Sequence, residues 1–304
     1  MKFDNHFRNK KIIVTGHTGF KGSWLCLWLV SLGAKVIGIS NNIPTKPSNY
    51  KVIKIEKNII SIFCNLENLK KTKKIFLKHK PDFVFHLAAQ ALVKKSYKNP
   101  IMTWRSNLIG TLNVLESLRF IKKNCIAVIV TSDKSYKNLE IKRGYHEKDA
   151  LGGYDPYSAS KGSAEFAVQS YVKSYFNKKD NRIIIGVARA GNVVGGGDWS
   201  SDRLIPDCIK SWSKNKIVKI RSPKSTRPWQ HVLEALSGYL CLAINLKKNK
   251  KLHGEAFNFG PSKSNNLKVN KVLENFKKIW IDAKWEINQK INFKESKLLK
   301  LNCL

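Results

Sequence analysis

The sequence is poor in acidic residues, since 21 Asp and Glu stand against 56 Lys and Arg, giving a formal net charge of +35. Such an excess normally favours nucleic-acid binding, because lysine and arginine displace counterions from phosphate backbones. Here the excess consists of 47 lysines and only 9 arginines, spread from Lys2 to Lys300. We ascribe it to the base composition of an A/T-rich genome, with lysines on solvated faces, and we expect no nucleic-acid partner.

Long hydrophobic runs and paired cysteines are also missing. The longest apolar stretches, residues 24–30 and 239–246, are far shorter than the roughly 20 residues that cross a bilayer. The N-terminal residues lack the apolar core of a secretory signal, and the six cysteines include no C-x-x-C pair. We therefore expect a cytoplasmic protein with no membrane contact, no metal site and no disulfide framework.

What the sequence does contain is an alternation of strand and helix patterns over its first 190 residues. Strands are predicted at 11–15, 35–39, 59–63, 82–87, 126–131 and 183–189, and helices at 20–32, 68–78, 101–120 and 157–176. This alternation predicts an α/β fold, with a doubly wound parallel sheet of the Rossmann type over residues 1–190. Glycine and proline punctuate the sequence from residue 191 onwards, which predicts a smaller C-terminal lobe over 191–304.

A glycine motif joins the first predicted strand to the first predicted helix. Gly16, Gly19 and Gly22 form G-x-x-G-x-x-G, which permits a tight turn and close approach of a pyrophosphate to the helix N-terminus. We predict a dinucleotide site there, with a merely structural turn as the alternative. The acid that normally binds the ribose is replaced by Ser-Asn-Asn at 40–42. Since asparagine can bond hydroxyls and no arginine is near for a 2′-phosphate, NAD is favoured over NADP.

The fourth predicted strand ends in His-Leu-Ala-Ala-Gln at residues 86–90. Its small residues permit a cofactor to pass along the carboxyl edge of the sheet. His86 is flanked by apolar residues, and we predict that it is a hydrogen-bonded core group rather than a catalyst.

A Tyr-x-x-x-Lys pair on a helix places both side chains on one face, where the ammonium favours the phenolate. Three such pairs occur, as abundant lysine would produce by chance: Tyr50/Lys54, Tyr157/Lys161 and Tyr175/Lys179. Only Tyr157/Lys161 opens a predicted helix downstream of a strand that ends in Thr-Ser-Asp-Lys, residues 131–134. We therefore predict that this pair is catalytic.

The glycine motif, the His-Leu-Ala-Ala segment, the Ser-Asp at a strand end and the Tyr-x-x-x-Lys pair follow one another along the chain. This order resembles the extended short-chain dehydrogenase/reductase family of sugar-nucleotide enzymes. Within that family, four segments are similar to CDP-glucose 4,6-dehydratases: VTGHTGFKG at 14–22, TSDK at 131–134, RAGNVVGGGDW at 189–199 and RPWQHV at 227–232. The resemblance extends from about residue 11 to residue 301.

The resemblance implies an NAD-dependent lyase that converts CDP-D-glucose to CDP-4-dehydro-6-deoxy-D-glucose, in the biosynthesis of deoxysugars such as those of lipopolysaccharide O-antigens. The implied steps are oxidation at C4, elimination of water across C5 and C6, and return of the hydride to C6. Tyr157 would take the 4-hydroxyl proton, Ser132 would steady that oxygen, and Lys161 would hold the ribose and tune the tyrosine. Asp133 fits the acid and Lys134 the base, whose pKa should be depressed by burial and nearby charge. The alternative for these two residues is an ion pair at a strand end.

The resemblance also implies the binding residues. Arg227 matches the arginine that binds the pyrophosphate and Asn192 the asparagine that contacts the substrate. The other expected substrate contacts are Asp198, Trp199, Arg203 and Arg221, although Trp199 and Arg203 would also suit loop stabilisation. The expected cofactor contacts are Gly16, Thr18, Gly19, Phe20, Gly22, Asn65, Leu87, Ala88, Ala89, Gln90, Asn107, Tyr157 and Lys161. Asn65 stands where relatives carry an aspartate near the adenine, which should weaken cofactor binding.

Two other functions remain open. A 4-epimerase or reductase of the same fold would share Tyr157 and Lys161 but would not need the Asp133-Lys134 pair. A catalytically silent NAD-binding or basic interaction protein is the second, because relatives add helices beyond the position of Leu304. Relatives commonly dimerise through the helices predicted at 101–120 and 157–176, and we expect a homodimer or a higher homo-oligomer.

Overall fold

The computed structural model describes residues 3–178, 181–261, 266–288 and 298–303. The strands in these ranges are β1 (Lys11–Thr15), β2 (Lys35–Ser40), β3 (Ile60–Phe63), β4 (Phe83–His86), β5 (Cys125–Val130), β6 (Ile183–Ala190), β7 (Asn192–Val194), β8 (Val218–Ile220), β9 (Thr226–His231), β10 (Ala256–Phe259), β11 (Asn266–Lys268) and β12 (Trp285–Ile287). The α-helices are α1 (Asp4–Phe7), α2 (Phe20–Ser31), α3 (Asn49–Val52), α4 (Leu69–His79), α5 (Val93–Lys98), α6 (Pro100–Trp104), α7 (Gly110–Arg119), α8 (Pro156–Tyr175), α9 (Leu204–Trp212), α10 (Val232–Lys248) and α11 (Val269–Ile279). None of these helices has the length and apolarity that crossing a membrane requires.

Seven strands of the described ranges form one parallel sheet in the order β10-β6-β5-β4-β1-β2-β3. The predicted α/β class and doubly wound parallel sheet are therefore confirmed. The strand order reverses between β1 and β4, and the carboxyl ends of these strands leave a crevice where dinucleotides bind in such sheets. Strands β11, β9 and β7 form a small mixed sheet, and β12 pairs with β8.

Both faces of the large sheet are buried, because successive strand side chains point to opposite sides. In β1, Ile12 and Val14 pack with apolar residues of α2 and α10, whereas Ile13 packs with those of α4, α7 and α8. Strands covered on both faces are apolar at consecutive positions rather than alternate ones. This explains why the strands of the sequence read as continuous β-branched runs.

The chain returns to the large sheet after it has entered the smaller lobe. Helix α10 packs against the sheet, and β10 pairs in parallel with β6. The smaller lobe has its own core, in which Trp212 and Leu273 are buried. The boundary near residue 190 stays a proposal for where the smaller lobe begins, and that lobe is not one continuous stretch of chain.

The helix predicted over 101–120 contains a π-helical turn. Residues Arg105–Ile109 form that turn between α6 and α7, and the Gly110 N–H donates to the Arg105 carbonyl five residues earlier. Such turns insert one extra residue into a helix and often lie at functional sites. Here the turn directs Asn107 into the protein, where its side chain is buried.

Candidate active site

The glycine turn between β1 and α2 lies against the segment that follows β4. Gly16 has φ +76°, and a Cβ at this position would lie 2.8 Å from the Ala88 backbone nitrogen. A Cβ on Gly22 would lie 2.1 Å from the Gly16 carbonyl oxygen. Gly19 caps α2 without a side-chain hydrogen bond, and the first turn of α2 holds no acidic residue. The positive end of α2 is therefore free of an internal anion, which suits a pyrophosphate.

The neighbouring predicted cofactor residues lie around this turn. Thr18 donates its hydroxyl to the Asn42 carbonyl at 2.6 Å, which fastens the turn to the end of β2. Phe20 is half-buried, beside Gly195 of the second glycine-rich segment. Asn65 is exposed after β3, and its Oδ1 accepts the Glu67 N–H at 3.0 Å.

The segment after β4 is held by hydrogen bonds that cross the fold. Asn107 accepts the Gln90 N–H at 2.7 Å, and its own Nδ2 donates to the Gln90 carbonyl at 3.1 Å and to Ser160 Oγ at 2.8 Å. Its amide therefore ties this segment to α8. His86 is buried, with Thr15 and Thr111 hydroxyls at its two ring nitrogens. Burial, with the nearby Lys161 charge, lowers the pKa of His86 to about 3, in keeping with the predicted core role.

Ser132, Asp133, Tyr157 and Lys161 meet at the carboxyl end of β5. Ser132 donates to Asp133 Oδ1 at 2.9 Å, and it lies close enough to Tyr157 to lower the pKa of that phenol. Lys161, one turn along α8 from Tyr157, donates to the Val130 carbonyl at 3.3 Å. Lys134 lies half-buried in the short 3₁₀ turn that begins at Asp133. The structure therefore places all five predicted catalytic residues around one cleft.

Burial shifts the pKa values of these groups in opposite directions. It raises the pKa of Tyr157 to about 12 and lowers that of Lys161 to about 8, where Glu165 opposes the decrease. Burial also raises the pKa of Asp133, against the charge of Lys134. Oδ2 of Asp133 is buried and has no hydrogen-bond partner among the described residues. A protonated Asp133 can thus offer this oxygen to a bound molecule.

The predicted substrate residues line the same cleft, which is a cavity of about 760 Å³. Its lining includes Leu87, Ala89, Ser132, Asp133, Lys134, Tyr157, Lys161, Asn192, Asp198, Trp199, Arg203, Arg221 and Arg227. Eight cationic side chains and four carboxylates line it in total. This excess of positive charge suits an anionic ligand such as a nucleoside diphosphate.

Carboxylates of the smaller lobe hold two of the three arginines. Arg203 donates to Asp198 at 3.0 Å, and Arg221 lies 4.0 Å from Asp202. Asp202 also pairs at 2.8 Å with Lys94, which belongs to α5 on the other side of the cleft. The third, Arg227, is buried and donates to the Thr226 carbonyl at 2.9 Å.

Several charged groups that line the cleft were not predicted from the sequence, and Lys21 is one of them. Lys21, from the first turn of α2, donates to the Tyr239 hydroxyl at 3.2 Å. Burial and the charges of Lys161 and Arg203 lower its pKa to about 7. Its position inside the glycine motif was the available signal, but one lysine among 47 carries little weight.

Among the described residues of the other two Tyr-x-x-x-Lys pairs, Tyr50, Lys54 and Tyr175 do not line the cleft. Tyr50 is buried, and its hydroxyl is hydrogen-bonded with Ser61 at 2.9 Å. Tyr175 is exposed at the end of α8, and Lys179 lies outside the described residues.

Comparisons with known proteins indicate the family of the chain. The family model described as GDP-mannose 4,6 dehydratase matches residues 13–297. CDP-glucose 4,6-dehydratase of Salmonella typhimurium is 41% identical over 98% of this chain and 84% of its own length. dTDP-D-glucose 4,6-dehydratase of Dictyostelium discoideum is 30% identical over 88% of this chain and 62% of its own length.

Solved structures share the fold. An epimerase from Methanothermobacter thermautotrophicus superposes with a TM-score of 0.84 at 23% identity, covering 99% of this chain and 86% of its own. dTDP-glucose 4,6-dehydratase of Bacillus anthracis, solved in complex with NAD, gives a TM-score of 0.77 at 22% identity, covering 97% and 88%.

The sheet, the glycine turn and the Tyr157/Lys161 pair define a Rossmann-fold enzyme of the short-chain dehydrogenase/reductase type. Within that class, the chain belongs to the GDP-mannose 4,6-dehydratase family of sugar-nucleotide 4,6-dehydratases. The resemblance stated from its motifs is thereby confirmed.

Proposed function

We propose that the chain is an NAD-dependent hydro-lyase that converts CDP-D-glucose to CDP-4-dehydro-6-deoxy-D-glucose, a precursor of deoxysugars. The observation that carries this proposal is the placement of Asp133 and Lys134 beside Tyr157 and Lys161 in one cationic cleft. The identity of 41% to a CDP-glucose 4,6-dehydratase over nearly the whole chain supports the choice of nucleotide.

NAD fits the residues at the crevice between β1 and β4. The uncapped N-terminus of α2 suits its pyrophosphate, and the exposed Asn41 and Asn42 after β2 suit ribose hydroxyls. When bound, NAD supplies reversible hydride acceptance, which makes oxidation and reduction at the sugar internally balanced. We place the remaining predicted contacts, residues 87–90 and Lys161, along the nicotinamide end, with Asn107 ordering that segment.

Tyr157 acts as the base toward the 4-hydroxyl of the sugar in this proposal. Its phenol must lose a proton, which burial disfavours, so the neighbouring ammonium of Lys161 has to stabilise the phenolate. Ser132 lies near Tyr157 in the same cleft and bonds the same sugar oxygen.

Asp133 and Lys134 carry the elimination of water. Asp133, whose pKa burial raises, acts as the acid that donates a proton to the departing 6-hydroxyl. Lys134, in its neutral form, removes the C5 proton, which the adjacent C4 carbonyl acidifies. A 4-epimerase has no need for such a pair, and this is why we favour a dehydratase.

The arginines bind the diphosphate. Arg227 is buried and offers a planar fork to phosphate oxygens, while Arg203 and Arg221 exchange their carboxylate partners for phosphate. Asn192 contacts the sugar, and Asp198 and Trp199 cover the nucleotide.

A direct assay tests the function. The purified chain is incubated with NAD and with CDP-, dTDP- or GDP-hexoses, and the alkaline absorbance of a 4-keto-6-deoxy sugar is recorded. We expect product from CDP-glucose with little from the others. Epimerised sugar without this absorbance would identify a 4-epimerase, and no turnover of any hexose would identify a catalytically silent protein.

A further inference from the structure

A buried ion pair lies next to the proposed catalytic groups. Glu165 and Arg189 expose only 1% and 2% of their side chains. The Arg189 guanidinium donates to Glu165 Oε2 through Nε at 2.9 Å and through Nη2 at 2.5 Å. Burying two charges costs desolvation free energy, and well-packed apolar residues in the same place would not have this cost. A buried ion pair is therefore weak evidence for a role in stability. The position of this pair beside the catalytic groups indicates a role in the active site.

The pair joins three elements that carry catalytic or substrate-binding residues. Glu165 lies one turn beyond Lys161 on α8, on the same helical face as Tyr157. Arg189 lies near the end of β6, three residues before Asn192. Thr131, at the end of β5, donates its hydroxyl to Glu165 Oε1 at 2.7 Å. One carboxylate therefore binds both neighbouring strand ends to the catalytic helix.

The same carboxylate is the counter-charge of Lys161. Burial lowers the pKa of Lys161 to about 8, and Glu165 opposes that decrease. The other titratable groups that face Lys161 are Lys21 from α2 and His86 from β4, with Asp133 and Tyr157 in the same cleft. Lys21 repels the ammonium and His86 is neutral, so neither replaces Glu165.

We propose that Glu165 is a positioning residue for the dehydration. Through Thr131 it holds Ser132 and Asp133 in register with Tyr157 and Lys161, and it keeps Lys161 charged. Arg189 orients the carboxylate and extends the connection to Tyr136, whose hydroxyl accepts from Nη1 at 2.8 Å. This inference rests on the proposed function, because dehydration requires Ser132 and Asp133, on one side, and Tyr157 and Lys161, on the other, to face the same sugar ring.

The first test removes the hydroxyl contact and leaves the ion pair in place. Thr131→Val should lower kcat for CDP-glucose about tenfold with KM nearly unchanged, because misplacement by a fraction of an ångström weakens catalysis more than binding. Thr131→Ser keeps the hydroxyl and should retain most of the activity. Thr72→Val is the matched control, since Thr72 is equally buried on α4 and donates to the Asn68 carbonyl at 2.9 Å. Wild-type kcat in Thr131→Val would overturn the proposal.

The second test removes the charge. In Glu165→Gln, Lys161 should lose its proton at lower pH, because the carboxylate that favours the ammonium is gone. The alkaline limb of the kcat profile should therefore move to lower pH, and an unmoved limb would contradict the electrostatic role. If the unpaired Arg189 prevents folding of this variant, Thr131→Val still decides the positioning role.

A measurement without substrate separates this inference from the proposed function. Amide hydrogen exchange of the peptide spanning residues 126–136 should be faster in Thr131→Val than in the wild type, and unchanged in Thr72→Val. If exchange is faster in Thr131→Val but the wild-type protein does not convert CDP-glucose, the proposed function is wrong, and the structural link from Thr131 to Glu165 is supported. If conversion is intact and exchange is unchanged, the inference alone fails.

Discussion

Asp133 and Lys134 occupy consecutive positions but different surroundings. Both residues line the cavity, but Asp133 is buried, with one oxygen hydrogen-bonded to Ser132, whereas Lys134 is half-buried. Burial favours the neutral acid at Asp133. The surroundings of Asp133 therefore suit the acid that loss of water requires.

Replacing Lys134 by Met tests the assignment of the base. We expect product formation to fall by about 10²-fold or more, because no other base is assigned to the C5 proton. NAD affinity, measured by fluorescence titration, should stay at the wild-type value. Lys137→Met is the matched control, as Lys137 is exposed three residues further on. Undiminished product formation in Lys134→Met would remove this lysine from the mechanism.

Two buried histidines predict how stability depends on pH. Burial lowers the pKa of His17 to about 4 and, with the Lys161 charge, that of His86 to about 3, whereas both titrate near 6.5 when unfolded. The unfolded chain thus binds more protons below pH 6.5, and stability decreases as the pH falls toward the folded pKa. Each histidine contributes up to about 1.4 kcal/mol per pH unit in that window.

Urea unfolding at several pH values between 7 and 5 measures this dependence. His17→Asn should flatten the curve of unfolding free energy against pH, because it removes one of the two buried histidines. Equal slopes in wild type and His17→Asn would refute the assignment.

At the scale of elements, the β1–α2 turn depends on the absence of side chains. Gly16 needs its positive φ, and Gly22 lets the first turn of α2 pack on the Gly16 carbonyl. The π-helical turn at Arg105–Ile109 determines where the side chain of Asn107 lies. Asn107 in turn holds Gln90, in the segment that lies against the glycine turn. The cofactor crevice is thus built by backbone packing before any side chain binds a ligand.

Gly22→Ala should disrupt this packing. The new methyl would lie 2.1 Å from a backbone oxygen, so the turn must shift, which we expect to cost about 1–3 kcal/mol of unfolding free energy and to weaken NAD binding. Gly196→Ala is the matched control, because a Cβ there meets nothing within 4 Å. Denaturant titration and NAD binding measure both variants, and wild-type values for Gly22→Ala would contradict the packing argument.

At the scale of the whole molecule, an exposed apolar surface runs along the helices expected to dimerise. Ile101 in α6 and Phe166 in α8 expose 69% and 54% of their surface. Since α6 and α8 contact each other, the two residues lie on adjoining helices. We expect a homodimer through this surface, as a patch of this kind favours association.

Light scattering after size exclusion tests the dimer. The double variant Ile101→Asp/Phe166→Asp should have the mass of a monomer, because two buried carboxylates would oppose the interface. The matched control is Ile279→Asp/Ile281→Asp, since these residues are even more exposed but lie in the smaller lobe. A dimer that survives the first substitution, or dissociates with the second, would place the interface elsewhere.

Much of the architecture could be predicted from local patterns. The bounds of the six strands predicted before residue 190 agree within about one residue, because strands covered on both faces need continuous β-branched runs. The short helices α3 and α5 were missed, since four to six residues show too little periodicity. The π-helical turn was missed as well, because it depends on Asn107 contacting Gln90 and Ser160, which are distant in sequence.

Residue order alone was sufficient for the fold class, the glycine turn and the family, because each depends on spacing along one segment. The choice of Tyr157/Lys161 as the catalytic pair also came from residue order, and it stays a prediction. The folded chain was needed to show that Lys21 reaches the catalytic cleft and that Glu165 serves as the counter-charge of Lys161. It was also needed to show that burial raises the pKa of Asp133. Burial and Coulomb interactions sum over groups that are far apart in the chain, and folding is what brings them together.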